Sequence, residues 1–277
     1  MKALQTKPQT PWQAVSLYKE RRSISSLLAP LRARVENSHR LFEAPSQRFE
    51  HSNEFYAIPR FLFVGPSQGS EYIRIGLFAG IHGDEVAGTL AALELLKYLD
   101  ENPQLARGYE LFVYPVTNPT GFEDNTRFSR RGKDLNREFW KNSRESEIQF
   151  LEQQLIENHF QGIISLHADD TSEGLYGFVK GATLTRDVLA PALLAASIHL
   201  PFNYNKTIDG FAAQDGIITK GYDGILTAPL SSKIKPFEIV LETPQLAPLD
   251  KQVEANVTAL LSMLETYRSF ISYSADL

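Results

Sequence analysis

The chain has 277 residues, 43% of them hydrophobic, which is enough for one large domain or one domain with a small appendage. Its net charge of −5 argues against a general nucleic-acid-binding surface, and its lack of cysteine excludes disulfides and thiolate metal sites. The sequence shows neither a signal-peptide pattern nor an apolar run of membrane-spanning length, so we expect a soluble, cytoplasmic protein without a membrane partner.

The N-terminal part of the chain has the weakest pattern. We predict an extension over residues 1–59, partly helical, ahead of a main domain over 60–277. Helical turns are expected within Ala14–Val35, interrupted at Pro30, because proline removes a helical hydrogen bond. The main domain then opens with a strand over Arg60–Gly65 that stops at a Gly-Pro pair.

The most informative stretch follows. The apolar run Ile73–Ala79 predicts a strand, expected beside the preceding one, and helical spacing of apolar residues predicts a helix over Glu85–Leu99. The turn between them places His82 and Glu85 at the carboxyl end of the strand, the usual ligand side of an open α/β sheet. Three residues apart, this imidazole and this carboxylate can point the same way, which suits two ligands of one metal ion.

A third strand is predicted over Glu110–Val116, followed by a long polar loop that ends at Trp140. Loops of this length in a compact domain are usually functional. The loop carries a cluster of five cations: Arg127, Arg130, Arg131, Lys133 and Arg137. In an acidic protein such a cluster suggests an anionic ligand, although Arg130 and Arg131 are expected to pair with nearby acids.

The remaining chain alternates strands and helices. The predicted elements are a helix over Glu145–Phe160, strands over Gly162–Leu166 and Leu175–Val179, a helix over Arg186–Leu200 with Pro191 in its first turn, an irregular stretch over 203–235, a strand over Lys235–Glu242 and a helix over Asp250–Phe270. This alternation predicts an α/β fold: a mixed, mostly parallel central sheet with helices on both faces. His167 and Glu242 are expected at the carboxyl ends of their strands.

Three strand ends therefore present polar groups that suit one chemistry. Two histidines and one carboxylate, from His82, Glu85 and His167, would leave a fourth position on one zinc ion for water, as catalytic zinc sites do. Zinc would lower the pKa of that water and polarise a carbonyl, and Glu242 could move the proton to a leaving nitrogen.

The polar loop supplies candidates for the other roles. Arg127 could stabilise an oxyanion, and Arg137 with Asn136 could hold a substrate carboxylate by paired hydrogen bonds. Asp134 could orient a zinc-bound histidine through that ring's other nitrogen.

This set of residues resembles the zinc metallocarboxypeptidases of the carboxypeptidase A-like, or funnelin, type. The matching motifs occur in family order: His82-Gly83-Asp84-Glu85, Asp134-Leu135-Asn136-Arg137, Ser165-Leu166-His167 and Val240-Leu241-Glu242-Thr243-Pro244. The separation of Arg127 and Arg137 is one that bacterial members commonly show for the oxyanion arginine, and Tyr222 best matches the family's mobile, substrate-covering tyrosine. The resemblance implies a phosphorylase/hydrolase-like fold, one zinc ion and a catalytic domain over 60–277.

The span from His82 to His167 is shorter than in digestive carboxypeptidases. It suits compact bacterial members, or the aspartoacylase and succinylglutamate desuccinylase branch, which shares the HGxE and DLNR elements and deacylates amides. We therefore predict a zinc-dependent metallopeptidase, either a carboxypeptidase or a peptide amidase, that hydrolyses an amide bond next to a substrate carboxylate. The alternatives are an N-acyl amino acid deacylase and, from another class, a non-catalytic metal- or anion-binding protein. The expected partner is a small peptide or N-acyl amino acid with a free carboxylate.

Two further expectations concern specificity. The acidic residues Asp169, Asp170 and Glu173 beside His167 are expected to pair with the loop arginines, although a basic substrate group or a second metal would also suit them. Asp223 and Thr227, in the stretch before the last strand, are possible specificity positions.

Overall fold

The structure is a computed structural model that describes residues 21–51, 53–67, 71–180, 183–233 and 235–274. Its α-helices are α1 Ile24–Val35, α2 Val86–Glu101, α3 Pro119–Asp124, α4 Ser146–Glu157, α5 Thr183–Ala196 and α6 Leu249–Ser274. Its strands are β1 Leu41–Ala44, β2 Arg48–His51, β3 Glu54–Ala57, β4 Arg60–Val64, β5 Ile73–Ala79, β6 Tyr109–Tyr114, β7 Gly162–Asp169, β8 Tyr176–Lys180, β9 Thr207–Ile208, β10 Phe211–Gln214, β11 Ile217–Ile218 and β12 Phe237–Pro244.

Ten of these strands form one sheet, in the order β1-β4-β6-β5-β7-β12-β8-β11-β10-β9. The four central strands, β6, β5, β7 and β12, run parallel to one another. The strands on either side of them, β4 and β8, run antiparallel to their central neighbours. The predicted mixed, mostly parallel central sheet is therefore confirmed.

The expected pairing of β4 with β5 is wrong, because β6 lies between them. The reason is the β5–α2–β6 unit: α2 returns the chain to a parallel strand directly beside β5, and β6 therefore takes the position expected for β4. The strand β4 then pairs with the outer edge of β6.

Helices cover both faces of the sheet, as predicted. On one face α2, α5 and α6 pack over the large hydrophobic core, and on the other α4 packs over a second core. Alternation along β5 explains the split, since Ile75 and Leu77 join the first core and Phe78 joins the second. Gly88 lets α2 approach β7 closely, because a Cβ there would lie 2.8 Å from the Cβ of Leu166.

The N-terminal part of the described chain is tied to this sheet. Leu28 and Leu31 of α1 belong to the large core, and β1 pairs with β4. Pro30 lies inside α1 and does not interrupt it, so that expectation is wrong; burial of the flanking leucines offsets one missing hydrogen bond. The helical turns expected before residue 21 lie outside the described residues, and the division at residue 60 remains a prediction.

Three other boundaries differ from expectation. Pro191 lies well inside α5 because that helix begins at Thr183, earlier than predicted. The polar loop contains α3 and a 3₁₀ turn over Leu135–Arg137. The strand β7 continues to Asp169, so His167 lies within the strand and its direction is fixed by strand pairing. Among the described residues, none of the helices combines the length and the hydrophobicity that a membrane span requires.

Candidate active site

The candidate site lies at the carboxyl ends of the parallel strands. His82 and Glu85 occupy the turn between β5 and α2, and His167 lies near the end of β7. Strand register places Glu242 opposite His167 across the β7–β12 pair, and opposite Tyr176 across the β12–β8 pair. Directly paired residues project to the same face of a sheet, so these three side chains form a row on the face that carries the site.

Two imidazoles and one carboxylate converge at the His167 end of this row. One ligand atom each from His82, Glu85 and His167 lies within 4.8 Å of the others, and all three residues are buried. Nδ1 of His82 is 2.5 Å from Oε1 of Glu85, and Nδ1 of His167 is 2.9 Å from Oε2. The carboxylate thus bridges the two rings, which brings their Nδ1 atoms to a common point.

The outer nitrogen of each ring has its own partner. Nε2 of His82 lies 3.2 Å from Oδ1 of Asp134, and Nε2 of His167 lies 3.1 Å from the Ser165 hydroxyl. A ring nitrogen held in this way fixes the tautomer and leaves the other nitrogen free to bind a metal. Asp134 is thus in contact with the outer nitrogen of His82.

The titration behaviour of the site follows from burial and charge. Burial opposes a charged His82, but the carboxylates of Glu85 and Asp134 outweigh it and raise the pKa of this ring. Burial lowers the pKa of His167. Burial also raises the pKa of Glu242 well above its usual range, and the negative charges of Glu85 and Asp169 add to that rise.

Glu242 is unusual in a second way. Its carboxylate makes no hydrogen bond and no ion pair with any residue in the described ranges. A polar group in such a position is costly unless a ligand or water satisfies it. The site thus holds, close to two imidazoles, a carboxylate that has no partner among the described residues.

These groups open into one cavity of about 300 Å³. Eight of the predicted site residues line it: His82, Glu85, Arg127, Asn136, Arg137, His167, Tyr222 and Glu242. Asp134 reaches the same cluster through its contacts with His82 and Arg127. Asp223 and Thr227 instead line a neighbouring cavity of about 180 Å³, which shares Phe178 and Tyr222 with the first.

The loop cations differ in how they are paired. Arg127 lies 3.0 Å from Asp134 and 3.5 Å from Glu85, which places it beside the candidate metal ligands. The other paired cations, with their acids, are Arg130 with Asp124 and Glu54, Arg131 with Glu145, and Lys133 with Glu138. The expected pairing of Arg130 and Arg131 is thereby confirmed. Of the five loop cations, Arg137 alone has no carboxylate partner within the described residues.

Arg137 is held by contacts other than an ion pair with the described residues. One guanidinium nitrogen donates to the backbone oxygen of Asn136 at 2.8 Å, and the group lies 4.1 Å from the ring centroid of Tyr222. The Tyr222 hydroxyl in turn donates to Asp209 at 2.9 Å. The Asn136 side chain is more constrained than predicted: its oxygen accepts from the Leu226 amide at 3.0 Å, and its amide nitrogen lies 3.5 Å from Nε2 of His167.

The expected pairing of the acidic run with the loop arginines is wrong. Asp169 accepts hydrogen bonds from the Thr171 amide at 2.7 Å and from the Tyr176 hydroxyl at 2.8 Å. Asp170 and Glu173 are exposed. The physical reason is proximity, because the loop arginines have acids on their own loop and on the adjacent β3 strand.

Sequence reasoning missed several residues that line the pocket, among them Tyr176 and Asp209. Tyr176, 1% exposed, joins the row through its register with Glu242, and strand register cannot be read from one sequence. Asp209 precedes Gly210 in the β9–β10 hairpin, and both have positive φ. The Asp-Gly pair is a sequence signal for a hairpin turn. It does not indicate that this turn lies beside the site.

A family model of the succinylglutamate desuccinylase/aspartoacylase catalytic domain matches residues 72–214, which is just over half of the chain. A candidate metallopeptidase from Shewanella denitrificans OS217 is similar in structure, with a TM-score of 0.70, 24% identity, and coverage of 87% of this chain and 89% of that one. A metallo-carboxypeptidase from Burkholderia cenocepacia gives a TM-score of 0.67 at 16% identity, over 90% and 70% of the two chains.

A third similar structure is a metallo-carboxypeptidase from Pseudomonas aeruginosa in complex with (2-guanidinoethylmercapto)succinic acid. Its TM-score is 0.63 at 15% identity, over 87% of this chain and 68% of that one. At such identities the likeness establishes the fold, which is that of the metallocarboxypeptidases. No curated protein matches the chain in sequence.

Proposed function

The chain belongs to the succinylglutamate desuccinylase/aspartoacylase catalytic-domain family, and on this premise we propose that it is a zinc-dependent metallopeptidase. Family membership and fold together make it a hydrolase of the metallocarboxypeptidase type. In our proposal it is a carboxypeptidase or peptide amidase, and it cleaves an amide bond next to a substrate carboxylate. The catalytic domain at 60–277 and a cytoplasmic location are parts of the same proposal.

One observation carries this proposal. His82, Glu85 and His167 present ligand atoms within 4.8 Å of one another, and the unpartnered carboxylate of Glu242 opens into the same cavity. A site that only binds a metal has no need of a free carboxylate beside its ligands. This arrangement therefore favours catalysis over the alternative of a non-catalytic metal- or anion-binding protein.

The donor set suits zinc. Two imidazoles and one carboxylate are ligands that zinc accepts readily, and three protein ligands are typical of catalytic zinc sites. The buried position and the partnered outer ring nitrogens also fit a metal site whose ligands are held in place. When bound there, zinc would supply Lewis acidity to a carbonyl oxygen and lower the pKa of a nearby water.

The protein groups then divide the remaining work. Glu242 would take a proton from water and pass it to the leaving nitrogen, a role that its raised pKa supports. Arg127, beside Glu85 and Asp134, would offer N–H donors to negative charge that develops on the scissile oxygen. Asp134 would hold His82 in orientation.

The substrate carboxylate would bind at Arg137, because this guanidinium is the loop cation that has no acidic partner in the described part of the chain. The amide nitrogen of Asn136 would add a donor, and the Tyr222 ring would cover the bound group. The compound bound by the Pseudomonas aeruginosa protein carries both carboxylates and a guanidino group. That combination suits a pocket with Arg137 on one side and carboxylates on another.

The second candidate is an N-acyl amino acid deacylase, and the family match favours it. The charge of the pocket favours the peptidase. Asp169 and Asp209 line the cavity together with Glu242, and they raise its pKa, so they lie close enough to act on a bound substrate. A peptide with a free amino group would be attracted by these acids, whereas an acyl group that carries its own carboxylate would be repelled.

The test is metal analysis followed by a matched pair of substrates. We expect dialysed protein to retain about one zinc ion, and to cleave a dipeptide with a free amine faster than its N-succinyl counterpart with the same C-terminal residue. Faster cleavage of the succinyl compound would establish the deacylase instead. Protein without stoichiometric zinc, or zinc-loaded protein inactive on both compounds, would end the proposal.

A pair of variants separates catalysis from folding. Glu242→Gln should retain zinc and lose roughly 10²–10⁴-fold in kcat, the usual contribution of a positioned acid–base group. Glu238→Gln is the matched control, since Glu238 lies on the same face of β12 but outside the metal-site cavity. Equal losses in both variants would remove the assigned role of Glu242.

A further inference from the structure

We propose that Arg22, from the segment before α1, is a positioning residue for the metal centre, an inference that rests on the proposed zinc site. One guanidinium nitrogen of Arg22 donates to the backbone oxygen of Gly83 at 2.8 Å. Gly83 lies between His82 and Glu85, the two candidate ligands of the β5–α2 turn. A residue far away in sequence is thus bonded directly to the backbone of the ligand turn.

The second guanidinium nitrogen reaches another part of the site. It donates to the side-chain oxygen of Asn125, which caps α3 in the left-handed conformation and precedes Arg127 by two residues. Arg22 therefore bridges the turn that carries His82 and Glu85 and the loop that carries the candidate oxyanion residue. Its planar fork suits two acceptors at once, which the single ammonium of a lysine does not.

Arg22 is itself held firmly. Its backbone amide donates to the Glu123 oxygen at 2.9 Å, and its guanidinium lies 5.3 Å from the ring centroid of Phe122. Phe122 is 1% exposed, so the contact reaches the core. Burial lowers the pKa of Arg22, as expected for a cation placed against the protein interior.

The ligand turn has other supports, so loss of Arg22 should loosen it without unfolding it. Gly83 packs against α3 so closely that a Cβ there would lie 1.9 Å from the Gly121 carbonyl carbon. The Asn118 side chain also donates to the backbone oxygen of Ile81 at 3.2 Å. These contacts fix the base of the turn, while Arg22 satisfies the Gly83 carbonyl and so restrains the spacing of the two ligands.

Arg21 provides a matched control. This neighbouring arginine pairs with Glu54 at 2.6 Å and with Glu123 at 2.7 Å, and it also donates to the Tyr56 hydroxyl. Among the described residues, Arg21 forms no hydrogen bond or ion pair with the ligand turn. Arg21→Ala therefore removes ion pairs from the same segment and leaves the Gly83 carbonyl bonded.

The experiment measures zinc affinity of the full chain by competition with a chromophoric chelator. Arg22→Met keeps the stem over Phe122 and removes both hydrogen bonds; we expect zinc binding about tenfold weaker or more, as for partners that support metal ligands. Arg22→Lys should recover part of the loss, and Arg21→Ala should bind zinc as the unmodified chain does, even if its melting temperature falls.

Two results would overturn the inference. The inference is wrong if the zinc affinity of Arg22→Met lies within about twofold of that of the unmodified chain. It is also wrong if Arg21→Ala loses as much zinc affinity as Arg22→Met, because that would indicate general destabilisation. If Arg22→Met does not fold, Arg22→Lys decides by the same comparison. Failure of the proposed function looks different, because the unmodified chain would then bind no stoichiometric zinc.

Discussion

Replacement of Arg137 by alanine tests how the pocket recognises its substrate. The guanidinium lines the cavity and has no carboxylate partner in the described residues, so its removal leaves no protein acid unpaired. A hydrogen bond to a charged group contributes about 1.5–3 kcal/mol. At 1.36 kcal/mol per factor of ten, this corresponds to a loss of about 10- to 150-fold in kcat/KM.

The assay compares two substrates that differ only at the C-terminus, one with a free carboxylate and one with that group blocked as an amide. Arg137→Ala should lose activity on the free carboxylate, mainly through a higher KM, and little on the blocked compound. On the free carboxylate, the activity of Arg137→Lys should lie between those of the unmodified chain and Arg137→Ala, because a point charge lacks the paired donors of guanidinium.

A control separates this effect from general changes in charge. Arg131→Ala removes another cation of the same loop. Among the described residues Arg131 pairs only with the Glu145 carboxylate, at 3.9 Å, and it lies outside the cavity. Arg131→Ala should change kcat/KM by less than about twofold, as expected for an exposed pair. The reasoning fails if Arg137→Ala loses equally on free and blocked substrates, since the loss would then come from disturbed packing of Tyr222.

Three further outcomes are expected. Asp134→Asn should weaken zinc binding by about 10- to 100-fold in the same chelator competition, because it removes the charged partner of His82; unchanged affinity would exclude that role. Chelation should lower the melting temperature, by an amount equivalent to about 2.7 kcal/mol at a zinc concentration 100 times the dissociation constant; a constant melting temperature would count against a site built in the native state. Burial raises the pKa of Glu238, so its contribution to stability is greatest below about pH 4.3, the unfolded value, and is lost as pH rises to the folded value. The melting temperature of Glu238→Gln should therefore rise relative to that of the unmodified chain as pH increases above about 4.3. A difference in melting temperature that does not change with pH would contradict this.

Local features of this protein could be predicted from the order of its residues. The strand Ile73–Ala79 was predicted with its observed bounds, since a run of apolar residues ended by a glycine turn is legible over a few positions. The candidate ligands were found for the same reason. His82, Glu85, His167 and Glu242 lie where predictable strands end, and the carboxyl ends of parallel strands meet at one edge of a sheet.

Tertiary structure alone decided which distant segments meet. The position of β6 between β4 and β5, the register that sets Tyr176 beside Glu242, and the contact of Arg22 with Gly83 all join residues that no local pattern relates. Ion pairing also depends on tertiary structure. The five loop cations cannot be told apart in sequence, and the placement of acids around them leaves Arg137 without a carboxylate partner among the described residues. The periodicity of apolar residues indicates which face of a helix or strand is buried. Which strand or side chain it then contacts depends on how the whole chain packs.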